Sequence, residues 1–242
     1  MAGGFANRAE AGRQLAEKLT AYRSHAGAIV LGLPRGGVPV AHEVAARLGL
    51  PLDVFVVRKL GVPGYEELAM GAIASGNVLV LNEEVMRALP NADAILEAVR
   101  AREKVELQRR EIRYRQGRPA PDLKDRVVIL VDDGLATGAT MRAATAALRE
   151  QGVARIVVAV PVGAPGTCHA IQAEADETIC ASMPASFCGV GQFYEDFSQT
   201  TDEEVQELLL RANAERRTSN VERRMPNAEC RIGKSDQRVI RE

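Results

Sequence analysis

The sequence predicts an α/β protein with a doubly wound, mostly parallel sheet flanked by helices. Short, nearly unbroken apolar runs rich in β-branched residues are typical of strands that are covered on both faces. These runs alternate with segments whose apolar residues recur at helical spacing, as in β-α-β units. The predicted strands are Ala28 to Leu33, Asp53 to Val57, Val127 to Val131 and Ile156 to Val160.

Helical spacing predicts the elements between and around these strands. A long, charged helix over Asn91 to Gln116 has Val99, Val105 and Ile112 as its apolar anchors. Its arginines are interleaved with glutamates three or four residues away, which favours a solvated or oligomer-facing helix over one that binds nucleic acid. The other predicted helices are Arg8 to Arg23, Val38 to Leu48, Ala139 to Gln151, Gly166 to Ala175, and one that a capping box opens at Thr201 and that runs to about Asn213.

Composition limits the classes of protein that the chain can form. With 242 residues, 46% of them hydrophobic and 26% charged, it can bury a core without metals or disulfides. Its formal charge of -1 argues against overall attraction to nucleic acid. No apolar run reaches the roughly 18 residues that span a bilayer, and residues 1–10 lack the apolar core of a signal peptide. We therefore expect a cytoplasmic protein without membrane contact.

Two further expectations concern the cysteines and the end of the chain. The four cysteines form no Cys-x-x-Cys pair, so we expect reduced thiols rather than a disulfide or zinc framework. Residues 216–242 have no aromatic residue, few apolar residues and many charges, so we expect this tail to be disordered. The folded domain is predicted to span residues 1–215.

The most informative segment follows the predicted strand over Val127 to Val131. The strand runs into two carboxylates, Asp132 and Asp133, which we call the acidic pair, and then into a Gly- and Thr-rich turn that opens a helix. Backbone N–H groups at a helix N-terminus favour an anion such as phosphate. Neighbouring carboxylates can bind vicinal hydroxyls or a hydrated cation. A sugar phosphate would therefore suit both the acidic pair and the turn that follows it. A simple capping turn remains an alternative, whereas the spacing fits neither a Walker loop nor a dinucleotide-binding loop.

The segment from Val131 to Thr140 closely resembles the phosphoribosyl pyrophosphate (PRPP) signature of type I phosphoribosyltransferases. The resemblance implies that the acidic pair holds the ribose 2- and 3-hydroxyls. It also implies that Ala136 to Thr140 wrap the 5-phosphate by backbone amides and hydroxyls. We call the segment Gly134 to Thr140, which contains them, the phosphate loop. Within that loop the predicted PRPP-binding residues are Gly134, Ala136, Thr137, Gly138, Ala139 and Thr140.

A second loop, Leu33 to Gly37, follows the first predicted strand. Its glycines permit close backbone approach and Arg35 can grip an anion, and the loop resembles the family's pyrophosphate loop, which often carries a strained peptide. Arg35, Gly36 and Gly37 are thus predicted to bind the leaving group. Arg58 and Lys59 begin a Gly- and Pro-containing segment that resembles the family's mobile lid, placed at about residues 59–75.

The resemblance implies magnesium-dependent transfer of a phosphoribosyl group from PRPP to a nitrogen acceptor, with release of pyrophosphate. The predicted catalytic residues are Arg35, Arg58, Lys59, Asp132 and Asp133. Mg²⁺ is expected to be held mainly by PRPP and water, with the acidic pair as candidate ligands. A PRPP- or nucleotide-sensing regulatory protein without turnover remains the alternative. The resemblance also implies a homo-oligomer.

The acceptor is expected to be a nucleobase or related heterocycle, as in nucleotide salvage. Ala136 stands where the 6-oxopurine branch has an aspartate, which counts against hypoxanthine or guanine. We place a hood at about residues 183–200, with Phe187, Phe193 and Tyr194 as candidate acceptor-binding residues. Taken together, the motifs resemble a bacterial branch of predicted phosphoribosyltransferases without an assigned acceptor.

Overall fold

The computed structural model describes residues 4–224, which form two β-sheets and seven α-helices. The strands are β1 (Ala28–Gly32), β2 (Leu52–Val54), β3 (Val57–Val62), β4 (Tyr65–Ala74), β5 (Val78–Leu81), β6 (Val127–Val131), β7 (Arg155–Val162) and β8 (Glu177–Ser182). The helices are α1 (Arg8–Lys18), α2 (Gly37–Leu48), α3 (Glu83–Ala88), α4 (Ala92–Arg115), α5 (Ala139–Glu150), α6 (Pro165–Ile171) and α7 (Asp202–Arg224).

The main sheet is parallel and has the strand order β2-β1-β6-β7-β8. One of its faces packs on α1, α2 and α7, and the other packs on α5 and α6. Every residue of β1 is buried. The nearly unbroken apolar run of this segment predicted such a strand, which is covered on both faces. The predicted fold class is confirmed. This topology places the loops that follow β1, β6 and β7 at the same edge of the sheet.

The region predicted as a lid forms a second, antiparallel sheet rather than a loop. Its strand order is β3-β4-β5, and Pro63 and Gly64 form the turn between β3 and β4, with Gly64 at a φ of +82°. The predicted strand over Asp53 to Val57 accordingly divides, since β2 ends at Val54 and β3 begins at Val57. The Gly and Pro residues that predicted a loop belong to a hairpin turn flanked by long strands.

Helix α4 is present as predicted, but two of its three predicted anchors are wrong. Val105 and Ile112 are 67% and 69% exposed, whereas Val99 is buried. The buried face is offset, and its members recur at intervals of three, four or seven residues. They are Leu96, Val99, Glu103, Leu107 and Tyr114, and Arg115 is buried next to the last of them. The β3–β4 hairpin and α7 pack on this face, and helical periodicity alone does not choose between two weakly apolar faces.

The last helix begins as predicted and extends further. The backbone N–H of Glu204 donates to Oγ1 of Thr201 at 3.1 Å, which is the N-cap contact of the predicted capping box. Helix α7 continues to Arg224, so residues 216–224 of the tail predicted to be disordered are helical. Residues 225–242 lie outside the described residues. In the described part of the chain, no helix is long and apolar enough to cross a membrane.

The structure also corrects the expectation of four reduced thiols. Cys168 of α6 and Cys180 of β8 form a disulfide, with their Cα atoms 6.6 Å apart. Cys188 is a free, exposed thiol, and Cys230 lies outside the described residues. Spacing along the sequence did not predict the pair, because the packing of α6 on β8 is what brings the two residues together.

Candidate active site

The acidic pair lies at the carboxyl end of β6, where its charges are largely withdrawn from solvent. The backbone N–H of Asp133 donates to Oδ1 of Asp132 at 2.9 Å. Burial raises the pKa of both carboxyls above the usual range, and for Asp132 the neighbouring Asp133 adds to the rise. An arginine, Arg8, opposes the shift at Asp133. The site therefore holds two carboxylates whose charges a polar ligand can stabilise.

The phosphate loop turns directly from the acidic pair into α5. Ala136, Thr137 and Thr140 are exposed, while Gly138 is buried with a φ of +78° and caps the helix. A Cβ at Gly138 would lie 2.7 Å from Cγ2 of Thr167. The exposed residues leave the first turn of α5 accessible to an anion, and the role of the loop in phosphate binding stays a prediction.

Helix α6 supports the phosphate loop from the side of the next strand. Oγ1 of Thr167 donates to the backbone carbonyl of Ala136 at 2.7 Å, and the N–H of Ala164 donates to the carbonyl of Leu135 at 2.8 Å. These bonds fix two carbonyls of the loop and hold its backbone against α6. No local pattern indicated this support, because Thr167 follows a different strand.

The pyrophosphate loop lies against the acidic pair. A Cβ at Gly36 would overlap with Oδ2 of Asp133, and one at Gly37 would lie 2.8 Å from the Cα of Asp132, so both positions require glycine. The Pro34–Arg35 peptide bond is cis. The guanidinium of Arg35 lies 3.9 Å from a carboxylate oxygen of Asp202, the first residue of α7. The structure thus brings together the two loops that the sequence predicted as parts of one site.

Arg58 and Lys59, at the start of the segment predicted as a lid, lie on opposite faces of β3. Nε of Arg58 donates to Glu103 of α4 at 2.8 Å. Lys59 instead lines a cavity of about 440 Å³, which Thr140 and Arg142 of α5 also line. Lys59 therefore lies on the side of β3 that faces α5 and the end of the phosphate loop. Arg58 contacts α4 and does not line that cavity. Alternation along a strand explains this separation, and the predicted role of Arg58 toward pyrophosphate stays a prediction.

The hood contains little regular structure beyond a short 3-10 helix, Val190–Phe193. Phe187 and Phe193 are half-buried and stack with ring centroids 5.4 Å apart. Tyr194 is buried, and its hydroxyl donates to the backbone carbonyl of Asp133 at 2.6 Å. Burial also raises the pKa of Tyr194. Of the three predicted acceptor-binding residues, Tyr194 thus supports the acidic pair, and the two phenylalanines form the aromatic surface of the hood.

Arg8 is a second residue of the site, besides Thr167, that the sequence did not point to. Its Nε donates to Oδ2 of Asp133 at 2.8 Å and its Nη1 donates to the carbonyl of Ser198 at 2.7 Å. One signal was available, because Arg8 is the first residue of α1, where the helix dipole disfavours a cation. A basic residue at that position indicates an acidic partner from another part of the chain.

The described residues contain no group of three or more His, Cys, Asp and Glu side chains that could hold a metal ion. The acidic pair is therefore the most that the predicted site offers directly to a cation. Two carboxylates are too few to complete the octahedral shell of Mg²⁺, which commonly keeps several waters and binds substrate phosphates.

Comparison with known proteins decides the family. A model of the phosphoribosyl transferase domain matches residues 6–197. The chain belongs to this family. It is 49% identical over 209 residues to proteins of two Mycobacterium tuberculosis strains, CDC 1551 / Oshkosh and ATCC 25618 / H37Rv, each named "Putative phosphoribosyl transferase"; the match covers 86% of this chain and 47% of theirs. The chain thus spans about half the length of these curated relatives.

A solved structure shares the fold of this chain. The crystal structure of TT1426 from Thermus thermophilus is 46% identical, with a TM-score of 0.78, and the match covers 86% of this chain and 98% of that one. The family model and the curated relatives confirm the resemblance to the phosphoribosyltransferase family.

Proposed function

We propose that this phosphoribosyltransferase transfers a phosphoribosyl group from PRPP to a nitrogen acceptor and releases pyrophosphate, in a reaction that depends on Mg²⁺. The contact between Gly36 and Asp133 is the observation that carries the proposal. It joins a loop suited to one anion to a carboxylate pair suited to sugar hydroxyls. The phosphate loop directly beyond the pair suits a second anion. PRPP carries these three features in the same order.

In this mechanism the chain acts by positioning and by electrostatics. Asp132 and Asp133 accept hydrogen bonds from the ribose hydroxyls, and the N–H groups of the phosphate loop hold the 5-phosphate. As the bond to pyrophosphate breaks, the anomeric carbon gains oxocarbenium character and negative charge builds on the leaving group. Arg35 and Lys59 are the cations proposed to stabilise that charge, with the lid excluding water. The nitrogen of the acceptor then forms the new bond.

Magnesium fits the donor set of the site. The carboxylate oxygens of Asp132 and Asp133 are hard ligands of the kind that Mg²⁺ prefers, and they lie beside the loop proposed to hold pyrophosphate. Bound there, Mg²⁺ would neutralise charge on the phosphate oxygens. We propose that PRPP and water supply most of its ligands and that the acidic pair supplies the rest.

The acceptor is proposed to be a nucleobase or related heterocycle. The stacked Phe187 and Phe193 offer an aromatic surface in the hood, and Tyr194 holds the end of β6 nearby. The flat face of a heterocycle suits such a surface. Nucleotide salvage in the cytoplasm and assembly into a homo-oligomer complete the proposal and stay predictions.

A sensor that binds nucleic acid through α4 is disfavoured by the charges of that helix. Arginines of this helix are paired with glutamates on the same helix, as the half-buried Arg100 is with Glu97 and the exposed Arg109 is with Glu106. Paired arginines are poor contacts for a phosphate backbone. Nucleic acid is therefore not proposed as a partner, and small molecules are the proposed ligands.

Calorimetric titration with PRPP and Mg²⁺ tests the proposal, using the wild type and the Asp132→Asn, Asp133→Asn double variant. Binding by the wild type that the variant loses would justify a screen of heterocycles for pyrophosphate release. Binding without turnover of any heterocycle would favour the sensor. If the wild type does not bind PRPP, the proposed function is wrong.

A further inference from the structure

Arg8 joins three parts of the protein that are far apart in the sequence. It begins α1, whose N-terminus is fixed by the side chain of Asn7 accepting from the N–H of Glu10. From there its guanidinium reaches Asp133 in the acidic pair and the carbonyl of Ser198 at the end of the hood. The same guanidinium lies 4.0 Å from the ring centroid of Phe197.

The ion pair of Arg8 with Asp133 lies inside the site rather than on its surface. The two side chains are only 12% and 16% exposed. A Cβ at Gly36 would lie 3.3 Å from Nε of Arg8, so the pyrophosphate loop also touches the pair. Such a pair is shielded from solvent screening and has a defined geometry, unlike an exposed salt bridge.

The geometry of the pair leaves one carboxylate oxygen for a ligand. Arg8 bonds to Oδ2 of Asp133, and in the described part of the chain no other residue is seen to donate a hydrogen bond to Oδ1. A carboxylate has two oxygens, so holding one of them fixes where the other lies.

We propose that Arg8 is a positioning residue for the ribose of PRPP. It holds Asp133 by Oδ2 so that Oδ1 accepts from a ribose hydroxyl, and it fastens the hood to the acidic pair through Ser198. This inference rests on the proposed function, because it takes the acidic pair as the ribose site. An arginine suits the role because its planar fork donates to two acceptors while its face packs on an aromatic ring.

The test compares two small ligands by calorimetric titration. Ribose 5-phosphate has the ring hydroxyls, whereas tetrahydrofurfuryl phosphate keeps the ring and the phosphate but lacks them. The variant is Arg8→Met, and the matched control is Arg13→Met on the same helix, where the arginine is more exposed and lies 3.9 Å from Glu43. Arg8→Lys keeps the positive charge but lacks the planar guanidinium that donates to two acceptors. Thermal unfolding establishes that each variant is folded.

The readout is the ratio of the two dissociation constants, which a general loss of structure does not change. The wild type and Arg13→Met should prefer ribose 5-phosphate, Arg8→Met should lose about tenfold of that preference, and Arg8→Lys should lie between them. If Arg8→Met weakens both ligands equally or neither, Arg8 does not position the ribose site. If the wild type itself shows no preference, the assignment of the acidic pair to ribose fails instead.

Discussion

At the scale of single residues, the acidic pair is a costly arrangement. Adjacent carboxylates at the end of a buried strand lose hydration and repel each other, and this raises the pKa of Asp132 well above its usual range. Arg8 offsets part of this cost at Asp133 through a direct ion pair, while Asp132 has the N–H of Asp133 as its hydrogen-bond donor. A residue kept in such a position despite its cost is typical of a binding site.

The unequal compensation predicts opposite effects of two similar substitutions. Asp132→Asn removes a buried charge and keeps the oxygen that accepts from Asp133, so the free energy of unfolding at neutral pH should rise by about 1 kcal/mol. Asp133→Asn breaks the ion pair with Arg8 and should lower the free energy of unfolding by about 1 to 3 kcal/mol. Chemical denaturation of both variants measures the difference. A less stable Asp132→Asn would contradict this account of the pair.

At the scale of elements, the start of α7 ties α4 to the pyrophosphate loop. Asp202 accepts from the hydroxyl of Tyr114 at 2.8 Å and pairs with Arg113 at 2.9 Å, with Arg35 at 3.9 Å. Tyr114 is fully buried. Helices α4 and α7 and the pyrophosphate loop therefore meet at one carboxylate.

The Tyr114 contact predicts a loss of stability at high pH. Burial, with the hydrogen bond to Asp202, raises the pKa of Tyr114 to about 12 from an unfolded value of about 10. Because the folded state holds this proton more tightly, the contribution is complete below about pH 10 and is lost between about pH 10 and 12. Denaturation at about pH 9 and 11 should show that the wild type loses up to about 1.4 kcal/mol per pH unit more than Tyr114→Phe. Equal losses of stability in the wild type and in Tyr114→Phe would contradict this contribution of Tyr114.

The phosphate loop depends on close packing with α6 at Gly138. A Cβ there would meet Thr167, the residue that holds the carbonyl of Ala136. Gly138→Ala should therefore lower the free energy of unfolding by about 2 to 4 kcal/mol, from the positive φ and the overlap together, and weaken PRPP binding. Chemical denaturation and calorimetry measure the two effects.

Gly117 provides the control for this substitution. It has the same φ of +78°, but a Cβ there would meet nothing within 4 Å. Gly117→Ala should therefore cost only the conformational part, about 1 to 2 kcal/mol, and leave PRPP binding unchanged. If the two substitutions destabilise the protein equally, the crowding at Thr167 is unimportant.

At the scale of the whole molecule, the position of the candidate site was more predictable from sequence than the contacts that support it. The phosphate loop and the acidic pair are contiguous, so the proposal of anion binding at the end of β6 rests on local residue types. Arg8 is separated from Asp133 by 125 residues, and only the packing of α1 beside the hood brings them together. The lid hairpin was missed because Gly and Pro mark a tight turn as well as a loop.

The assembly of the site from separate elements predicts how PRPP and Mg²⁺ act on stability. A ligand that contacts loops after β1 and β6 binds only the folded state, so it should add about 2.7 kcal/mol at a concentration 100 times its dissociation constant. Mg²⁺ alone should have little effect, because the site offers it only two carboxylates. Thermal unfolding with PRPP, with Mg²⁺, with both, and with both plus a chelator measures these contributions. Stabilisation by PRPP that survives chelation would show that the metal is dispensable for binding, and stabilisation by Mg²⁺ alone would indicate a metal site independent of PRPP.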